Sequence, residues 1–423
     1  MKFIHTADLH LGKIFHDHSL IEDQAVMLED LAQLLEDGGY SALLIAGDIY
    51  DRSIPSPEAV ELFGSFLERV KSFRPSPELL VIPGNHDSAS RLGFGKELFA
   101  RLGIRFGVSA EDCDKPVIVE KNGEKAAFFL LPFLNPGALS IADNGAPVPI
   151  RSQSALAEEA ARRMEKSRAG LAAKQGVNYS VLAAHLFASG GKEAGSERVF
   201  LGSAELVNTG LFKNFDYVGL WHLHRCQSAG DKMWYPGSPL AYSFGEVSAQ
   251  KAGPQTGIPQ MGREEKFFLS VELDKDGTKV EKIPVKPRRK VTSISGPFAR
   301  FTGDTMDREL LDASNDYLEI RLTDSKITEN ARDILRRRFP FLLSLRQDEA
   351  LAGLSSAIRA QAPEGYREEC RAGSPAERRS ISGDFRNFLV SLYGEALPQR
   401  GGAEKLELFN TLLCEVEEEE SVS

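Results

Sequence analysis

Polar residues that can bind metal ions follow five short apolar segments between residues 6 and 225. Their types are aspartate, asparagine and histidine, and in two motifs, D-x-H and H-x-H, the residues stand two apart. The candidate ligands are Asp8, His10, Asp48, Asn85, His185, His222 and His224. Carboxylate, amide and imidazole groups together suit Mn²⁺, Fe²⁺ or Zn²⁺ better than Ca²⁺ or Mg²⁺. Two such ions about 4 Å apart would clamp the attacking and leaving oxygens and activate water, so the sequence predicts phosphoester hydrolysis.

The segments before these motifs predict buried strands. Short apolar runs that end in polar or glycine-rich turns are Lys2–Thr6, Ala42–Ala46, Leu79–Ile82, Ala126–Leu131, Ser180–Ala184 and Phe215–Leu220. Helical apolar spacing covers Leu20–Glu36 and Glu58–Val70, and the charged, alanine-rich segment Ser152–Ala173 predicts a long exposed helix. Alternating strands and helices indicate an α/β layered fold, in which ligands bind outside the carboxyl ends of strands. Because residues i and i+2 of an extended chain share a face, each two-residue motif presents both its ligands to one place.

Each motif alone also fits a structural role. A single D-x-H is common, and Gly84–Asp87 is compatible with a simple turn because Asn and Gly tolerate left-handed backbone. His185 alone is typical of a hydrogen-bonded core histidine. Five such motifs after separate strands are not expected by coincidence. The set therefore predicts a single metal-binding crevice.

The composition is that of an ordinary globular protein. The 423 residues are 42% hydrophobic and 26% charged, which excludes a disordered chain or a disulfide-stapled mini-protein. The four cysteines form no CxxC pair and indicate a reducing compartment. The chain shows neither a long apolar run nor a signal peptide, so we expect a cytoplasmic protein with no membrane partner. The net charge of −10 argues against a nucleic-acid partner, but two divalent ions would add positive charge locally.

The second half of the chain predicts a smaller domain. Residues 246–266 are rich in Gly, Pro and Gln and indicate a linker. Two alternating strands around Asp276-Gly277 predict a hairpin. A strand at Tyr317–Leu322 and a helix at Thr328–Arg338 follow. Together they predict a small α+β domain over 267–350.

Two further features of the second half are a run of basic residues and two amphipathic patterns near the C-terminal end of the sequence. The basic run contains Lys282, Lys286, Arg288, Arg289 and Lys290. It favours either contact with DNA or a solvated strand face. Amphipathic patterns at 384–394 and 403–416 predict helices that either bind a partner or pack back on the small domain.

The order D-x-H, GD, GNHD, H, H-x-H resembles that of the calcineurin-like metallophosphoesterases. The stretches His5–Gly12, Gly47–Asp51 and Tyr235–Glu246 are more specifically similar to the bacterial SbcD family, nuclease subunits that act with an SMC-like ATPase, SbcC. This resemblance covers about residues 1–246. It implies a four-layer metallophosphoesterase sandwich over 1–250, the α+β part as a DNA-capping domain, and C-terminal helices within 380–418 that bind the ATPase.

The resemblance also implies roles for the site residues. Asp8, His10 and His224 would bind one ion, Asn85, His185 and His222 the other, with Asp48 as a bridge. The residues implied in catalysis are His86, which would protonate or steady the leaving oxygen, and Asp51, which would orient His86. The alternatives are a supporting hydrogen-bonding role for His86 and an ordinary loop carboxylate for Asp51. Arg91 and His18 would contact the substrate. The alternatives are an ion pair with a nearby acid for Arg91 and an ordinary solvated loop for His18.

The function implied is a Mn²⁺-dependent DNA nuclease of repair and recombination, with Fe²⁺ or Zn²⁺ as alternative metals. It would act as a 3′→5′ double-strand exonuclease and a single-strand and hairpin endonuclease, in a homodimer within a heterotetramer with SbcC at the nucleoid. The alternatives are a small-molecule or nucleotide phosphodiesterase of the same fold and a non-catalytic subunit that holds DNA ends. One departure is Trp221, which precedes the H-x-H motif where relatives usually have glycine, and we expect it to reshape the floor or edge of the site.

Overall fold

The computed structural model describes residues 1–143, 146–174, 176–186, 207–247, 265–324 and 330–347. The tail helices predicted within 380–418 lie outside these residues. The described helices are α1 (Ile21–Gly38), α2 (Pro57–Lys71), α3 (Ala89–Leu92), α4 (Lys96–Arg101), α5 (Gln153–Lys174), α6 (Phe298–Thr302), α7 (Arg308–Asp312) and α8 (Ala331–Arg336), with 3₁₀ turns at Ala110–Asp112 and Thr209–Phe212. None of them is long and apolar enough to cross a bilayer.

The described strands account for all six strands predicted in the first half of the chain. They are β1 (Lys2–Thr6), β2 (Ile14–Phe15), β3 (His18–Ser19), β4 (Ala42–Ala46), β5 (Glu78–Ile82), β6 (Ile104–Phe106), β7 (Val117–Lys121), β8 (Glu124–Leu131), β9 (Ser140–Asp143), β10 (Ala146–Pro149), β11 (Tyr179–His185), β12 (Tyr217–Trp221), β13 (Gln227–Gly230), β14 (Met233–Tyr235), β15 (Phe267–Asp274), β16 (Gly277–Pro284), β17 (Val291–Gly296), β18 (Tyr317–Leu322) and β19 (Leu342–Gln347).

Two six-stranded sheets form the main part of the molecule. The first has the order β16-β15-β1-β4-β5-β6, and the second has the order β13-β14-β12-β11-β8-β7. Strands β1, β4, β5 and β6 are parallel to one another, and so are β8, β11, β12 and β14. Parallel neighbours end at the same edge of a sheet, so the polar motifs that follow them are gathered there.

Apolar cores separate four layers. The core between the two sheets takes side chains from both, among them Phe3, Leu44, Phe128, Val181 and Trp221. Helices α1 and α2 cover the outer face of the first sheet, and α5 covers the outer face of the second. The order helix, sheet, sheet, helix confirms the predicted four-layer sandwich.

Helix α5 is confirmed as a long helix, but the prediction that it is exposed was wrong for one face. Leu156, Ala160 and Met164 lie four residues apart and are fully buried against the second sheet. Alanine has a short side chain, so this face of the helix packs closely although the segment as a whole is highly charged. The charged residues occupy the other faces.

The β15–β16 hairpin is confirmed, but it lies in the first sheet and not in a separate domain. Strand β15 pairs antiparallel with β1, and Leu269, Val271 and Leu273 are buried in the core between the sheets. The hairpin pattern alone does not reveal which sheet the strands will join. The part with its own small core therefore begins at β17, later than residue 267.

That smaller part is a parallel sheet, β17-β18-β19, with α6, α7 and α8 on one face. Phe301, Leu335 and Phe339 are fully buried between the helices and the sheet. The other face meets the main core, where the ring of Tyr317 packs against Phe15 with 6.2 Å between centroids. This contact sets the smaller sheet beside the loop that follows the D-x-H motif.

Candidate metal centre

Each candidate ligand lies at or just beyond the carboxyl end of a parallel strand. Loops after β1, β4 and β5 carry the Asp and Asn ligands and the first histidine, whereas β11 and β12 carry the other three histidines. Asp8, His10 and His224 offer one ligand atom each, all within 4.8 Å of one another. The His185 and His222 rings lie 5.4 Å apart. The structure thus brings motifs from both sheets to one place.

The loop after β1 adopts a conformation that most residues avoid. Asp8 and His10 have φ values of 51° and 43°, and Asp48 in the neighbouring loop has 45°. Such left-handed positions cost of order 1–3 kcal/mol each and persist only where the surroundings hold them. The Asp8 amide donates to the Gly47 carbonyl at 3.1 Å and the His10 amide to the Asp48 carbonyl at 2.9 Å. The two ligand loops therefore fix each other.

A buried glutamine completes this support. Gln24 of α1 is fully buried, and its Nε2 donates to the carbonyl of His10 at 2.7 Å and to that of Leu9 at 3.2 Å. Its Oε1 accepts from the Gly12 amide at 2.9 Å. Sequence reasoning missed Gln24, since a polar residue in the first turn of a helix is ordinary.

Asp87 joins the two loops that carry Asp48 and Asn85. Its carboxylate accepts from the amides of Ile49 at 3.0 Å, Tyr50 at 2.9 Å and Gly84 at 2.9 Å. Burial raises the pKa of Asp87 to about 6 and, together with the negative charge of Asp87, raises the pKa of Asp48 above its usual range. A side chain at Gly84 would overlap Asp48, which explains the glycine.

His86 packs edge-on against His10, with 4.9 Å between ring centroids. Its backbone amide donates to Asp48 Oδ1 at 2.9 Å, and its Nδ1 lies 3.0 Å from the Asp51 carbonyl oxygen. Asp51 thus contacts His86 through its backbone, whereas its carboxylate accepts from Lys13 Nζ at 2.7 Å. Burial lowers the pKa of His86 below its ordinary value.

Trp221 forms part of the floor beneath the histidines of the second sheet. Its indole is fully buried in the core between the sheets and packs edge-on against His185 at 5.4 Å. A side chain at Gly47 would overlap the indole, so the glycine makes room for it. Burial lowers the pKa of His185, and it lowers the pKa of His222 to about 4. These histidines are neutral at physiological pH, as metal ligands must be.

The two predicted substrate contacts lie on other elements, Arg91 on α3 and His18 on β3. Arg91 is exposed on α3. His18 is not a solvated loop residue, because its ring lies 5.1 Å from that of Tyr317 and 5.7 Å from that of Phe341. Within the basic run, Arg289 stacks over Phe341 at 4.1 Å and lies 3.7 Å from the Asp23 carboxylate of α1, so part of this run joins the smaller sheet to the main part.

Glu246 and Lys266 form a hydrogen-bonded pair next to His224. Sequence reasoning assigned no role to either residue. Glu246 Oε1 lies 3.2 Å from His224 Nδ1, and Glu246 Oε2 accepts from Lys266 Nζ at 2.6 Å. Burial alone would raise the pKa of Glu246, but the ammonium of Lys266 and the hydrogen bonds from Lys266 and His224 hold it below its ordinary value. The only sequence signal was the Ser243–Glu246 stretch, which resembles a family motif.

The donors present fit divalent metal ions. In the described part of the chain, Nε2 of His10, both ring nitrogens of His185 and Oδ1 of Asn85 are buried and make no hydrogen bond to protein atoms. Buried polar atoms nearly always have a partner, so this concentration points to ligands outside the protein. Imidazole, carboxylate and amide oxygen together suit Mn²⁺, Fe²⁺ or Zn²⁺.

Comparison with known proteins identifies the family of this chain. A family profile for calcineurin-like phosphoesterases matches residues 1–163. The SbcD component of the SbcCD nuclease of Staphylococcus epidermidis is 31% identical over 347 residues, which cover 82% of this chain and 85% of that protein. The Staphylococcus saprophyticus protein of the same name is 29% identical over 82% of this chain and 84% of its own length. Among solved structures, a dimetal phosphatase from Danio rerio is 12% identical, with a TM-score of 0.38 over 68% of this chain and 99% of that one.

Proposed function

Because the chain belongs to the SbcD family of calcineurin-like phosphoesterases, we propose that it is a Mn²⁺-dependent DNA nuclease that cuts phosphodiester bonds at duplex ends and in hairpins. The observation that carries the proposal is the packing of His86 against the cluster of Asp8, His10 and His224. This places a proton-transfer group beside a group of metal ligands. That combination is what hydrolysis of an unactivated phosphodiester requires.

The donors would divide into two groups, one for each ion. The first would be Asp8, His10 and His224. The second would be Asn85, His185 and His222, and Asp48 would contribute its carboxylate to both. When bound, the ions supply Lewis-acid polarisation of the phosphodiester and activation of water. The chain contributes donors held at fixed positions, which avoids reorganisation during the reaction.

His86 acts on the oxygen that leaves. Its Nδ1 donates to the Asp51 carbonyl, so Nε2 is the nitrogen that exchanges a proton with the substrate. A phosphodiester beside the ring favours the imidazolium form, which offsets the effect of burial on the pKa. The imidazolium then gives its Nε2 proton to the departing oxygen.

A polymeric substrate fits the surroundings better than a small one. The smaller sheet is set beside the D-x-H loop through His18, and Lys286 and Lys290 of the basic run are exposed next to it. A small phosphodiester needs neither a second domain nor a positively charged surface beside the site. Exonuclease action on duplex ends and endonuclease action on single strands both use this same site, and we expect the protein to be associated with the nucleoid.

A homodimer is supported by apolar side chains on the α3–α4 segment. Phe94, Leu98 and Leu102 are 83%, 67% and 62% exposed and follow one another at intervals of four residues. Large apolar residues grouped on a surface mark an interaction site. Phe94→Asp with Leu98→Asp should give a monomer in sedimentation experiments, without loss of Mn²⁺ binding.

An SMC-like ATPase of the SbcC type is the second partner in this proposal. The relatives' name describes them as one component of a larger nuclease. Removal of 380–418 should abolish co-purification with this ATPase while single-strand cleavage continues. Continued co-purification would assign the contact to another surface.

The test of the proposal is cleavage of labelled DNA by purified protein with Mn²⁺ and with EDTA. We expect cleavage of single-stranded and hairpin DNA that depends on the metal, and duplex degradation that increases with the ATPase and ATP. Hydrolysis of small phosphodiesters with every DNA left intact would favour a nucleotide phosphodiesterase. DNA binding with less than one tight ion per chain would favour the non-catalytic end-holding role.

A further inference from the structure

His224 is hydrogen-bonded through one nitrogen of its ring to a buried carboxylate. Its Nδ1 lies 3.2 Å from Glu246 Oε1. Glu246 is a carboxylate and only accepts hydrogen bonds, so Nδ1 carries the hydrogen. The other nitrogen, Nε2, is then the candidate ligand atom for a metal held with Asp8 and His10. The Glu246 contact thus selects the tautomer that can act as a ligand.

Glu246 is itself fixed by a buried ion pair. It is fully buried, and Lys266, only 7% exposed, donates from Nζ to Glu246 Oε2 at 2.6 Å. The same ammonium donates to the His224 carbonyl at 2.9 Å and to Ser238 Oγ at 3.1 Å. Lys266 therefore holds His224 twice, through its backbone and, by way of Glu246, through its ring.

A buried ion pair is a poor way to add stability. Removing both charges from water costs about as much as their attraction returns, and well-packed apolar residues often do as well or better. A carboxylate bonded to the outer nitrogen of a metal-binding histidine has a different use, because it orients the ring and increases its basicity. The pair's location at a candidate ligand favours that use.

We propose that Glu246 and Lys266 are positioning residues of the metal centre, which hold His224 in the tautomer and orientation that bind the ion shared with Asp8 and His10. This inference rests on the proposed metal-dependent function. Neither residue touches the substrate. Their effect is on the affinity and geometry of one of the two ions.

The first measurement is Mn²⁺ affinity by calorimetry on metal-free protein. Glu246→Gln and Lys266→Met should weaken one of the two sites about 10- to 100-fold, the range typical of lost partners of metal ligands. Lys266→Arg should keep most of the Mn²⁺ affinity of the unmodified protein, because it keeps the positive charge. A cavity of about 390 Å³ beside Lys266 has room for the larger side chain.

Matched controls separate this effect from general loss of a buried charge. Glu319 is also fully buried and accepts from Arg321 at 2.8 Å and Arg346 at 2.9 Å, but it lies in the smaller sheet. Lys279 lies in the hairpin that follows Lys266 and pairs with Asp274 at 2.8 Å. Glu319→Gln and Lys279→Met should leave Mn²⁺ affinity within about twofold of that of the unmodified protein, because neither contacts a metal ligand.

The second measurement needs no metal. In ¹⁵N-histidine NMR spectra of the metal-free protein, His224 should show the Nδ1–H tautomer, and Glu246→Gln should shift it toward a mixture. Folded variants that keep both this tautomer and unchanged Mn²⁺ affinity would overturn the proposal. If Glu246→Gln does not fold, the Lys266→Met and Lys266→Arg pair decides, because only the former removes the charge. An unmodified protein that binds no Mn²⁺ contradicts the metal-dependent function instead, and the tautomer is still read independently.

Discussion

The two sheets hold their shares of the metal site by different means. The ligands that follow β1, β4 and β5 are held through backbone groups of their loops. These groups hydrogen-bond to one another and to the side chains of Asp87 and Gln24, and several of the loop residues have positive φ. The share from β11 and β12 is fixed by side chains, namely the Trp221 indole and the Glu246 carboxylate.

This difference explains which of the supporting residues the sequence reveals. Backbone support needs special residues within the loop itself, such as the glycine and aspartate of GD and GNHD, and these form short motifs. Side-chain support comes from residues whose partners are distant along the chain, and it leaves no local pattern. Each half should therefore respond differently to substitution.

The largest expected effect is on the first half. His86→Ala should reduce DNA cleavage about 10²- to 10⁴-fold, because proton transfer to the leaving oxygen is lost. Both Mn²⁺ ions should remain bound, since the candidate ligands are untouched. Single-turnover cleavage and metal content measure the two outcomes. Loss of one ion together with activity would make His86 a support for ligands and not a catalytic group.

Substitution in the part of the site that follows β11 and β12 should have the larger effect on the free energy of unfolding. Trp221→Ala removes a fully buried indole from the core between the sheets and should lower the free energy of unfolding by about 3–5 kcal/mol. Urea unfolding measures this change. The matched control is Trp234→Ala, at a half-buried position, which should cost clearly less. A loss below about 1 kcal/mol for Trp221→Ala would contradict support of this half by the indole.

Asp87→Asn tests the backbone support of the first half. Asparagine has one acceptor oxygen, so it cannot satisfy all three amides that bond to Asp87, and a buried amide without a partner costs about 1–3 kcal/mol. We expect a loss of this size in urea unfolding and weaker Mn²⁺ binding. Unchanged metal affinity with reduced stability would mean that the other loop contacts suffice.

The smallest expected effect is that of an ion pair outside the site. It gives a reference value for the contribution of a charge pair to stability. Hydrogen bonds from Arg162 and Arg163 lower the pKa of Glu159 on α5 to about 2. A lowered pKa means that this carboxylate stabilises the fold above its ordinary pKa of 4.5 and loses that effect as the pH falls toward 2.

Glu159→Gln should therefore lower stability at neutral pH by at most about 1 kcal/mol, because the pair is near solvent. The difference from the unmodified protein should shrink as the pH falls from about 5 to about 3, as thermal unfolding would show. Glu158→Gln, at an exposed neighbouring position, should have no such pH-dependent effect. Equal effects of the two substitutions would remove the distinction.

Strand patterns predicted an α/β layered fold, and the family resemblance added the four layers. The polar motifs at strand ends pointed to the seven candidate ligands, because strand ends and polar motifs are local patterns. Sequence reasoning assigned the β15–β16 hairpin to the small α+β domain and not to the first sheet, since pairing with β1 depends on contacts far along the chain. It predicted an exposed α5 because the charge of the segment concealed its alanine face. It missed Gln24 and Lys266, whose partners become neighbours only after folding.

The pairing of β15 with β1 also has a consequence for synthesis on the ribosome. His5 of β1 pairs with Leu269, roughly 260 residues later in translation. At about 5–20 residues per second, tens of seconds pass before the second neighbour of β1 emerges. During that time one edge of the strand that leads to the D-x-H ligands is bare, and bare edges recruit other chains. We therefore expect the chain to be most prone to aggregation during synthesis, before β15 has paired with this strand.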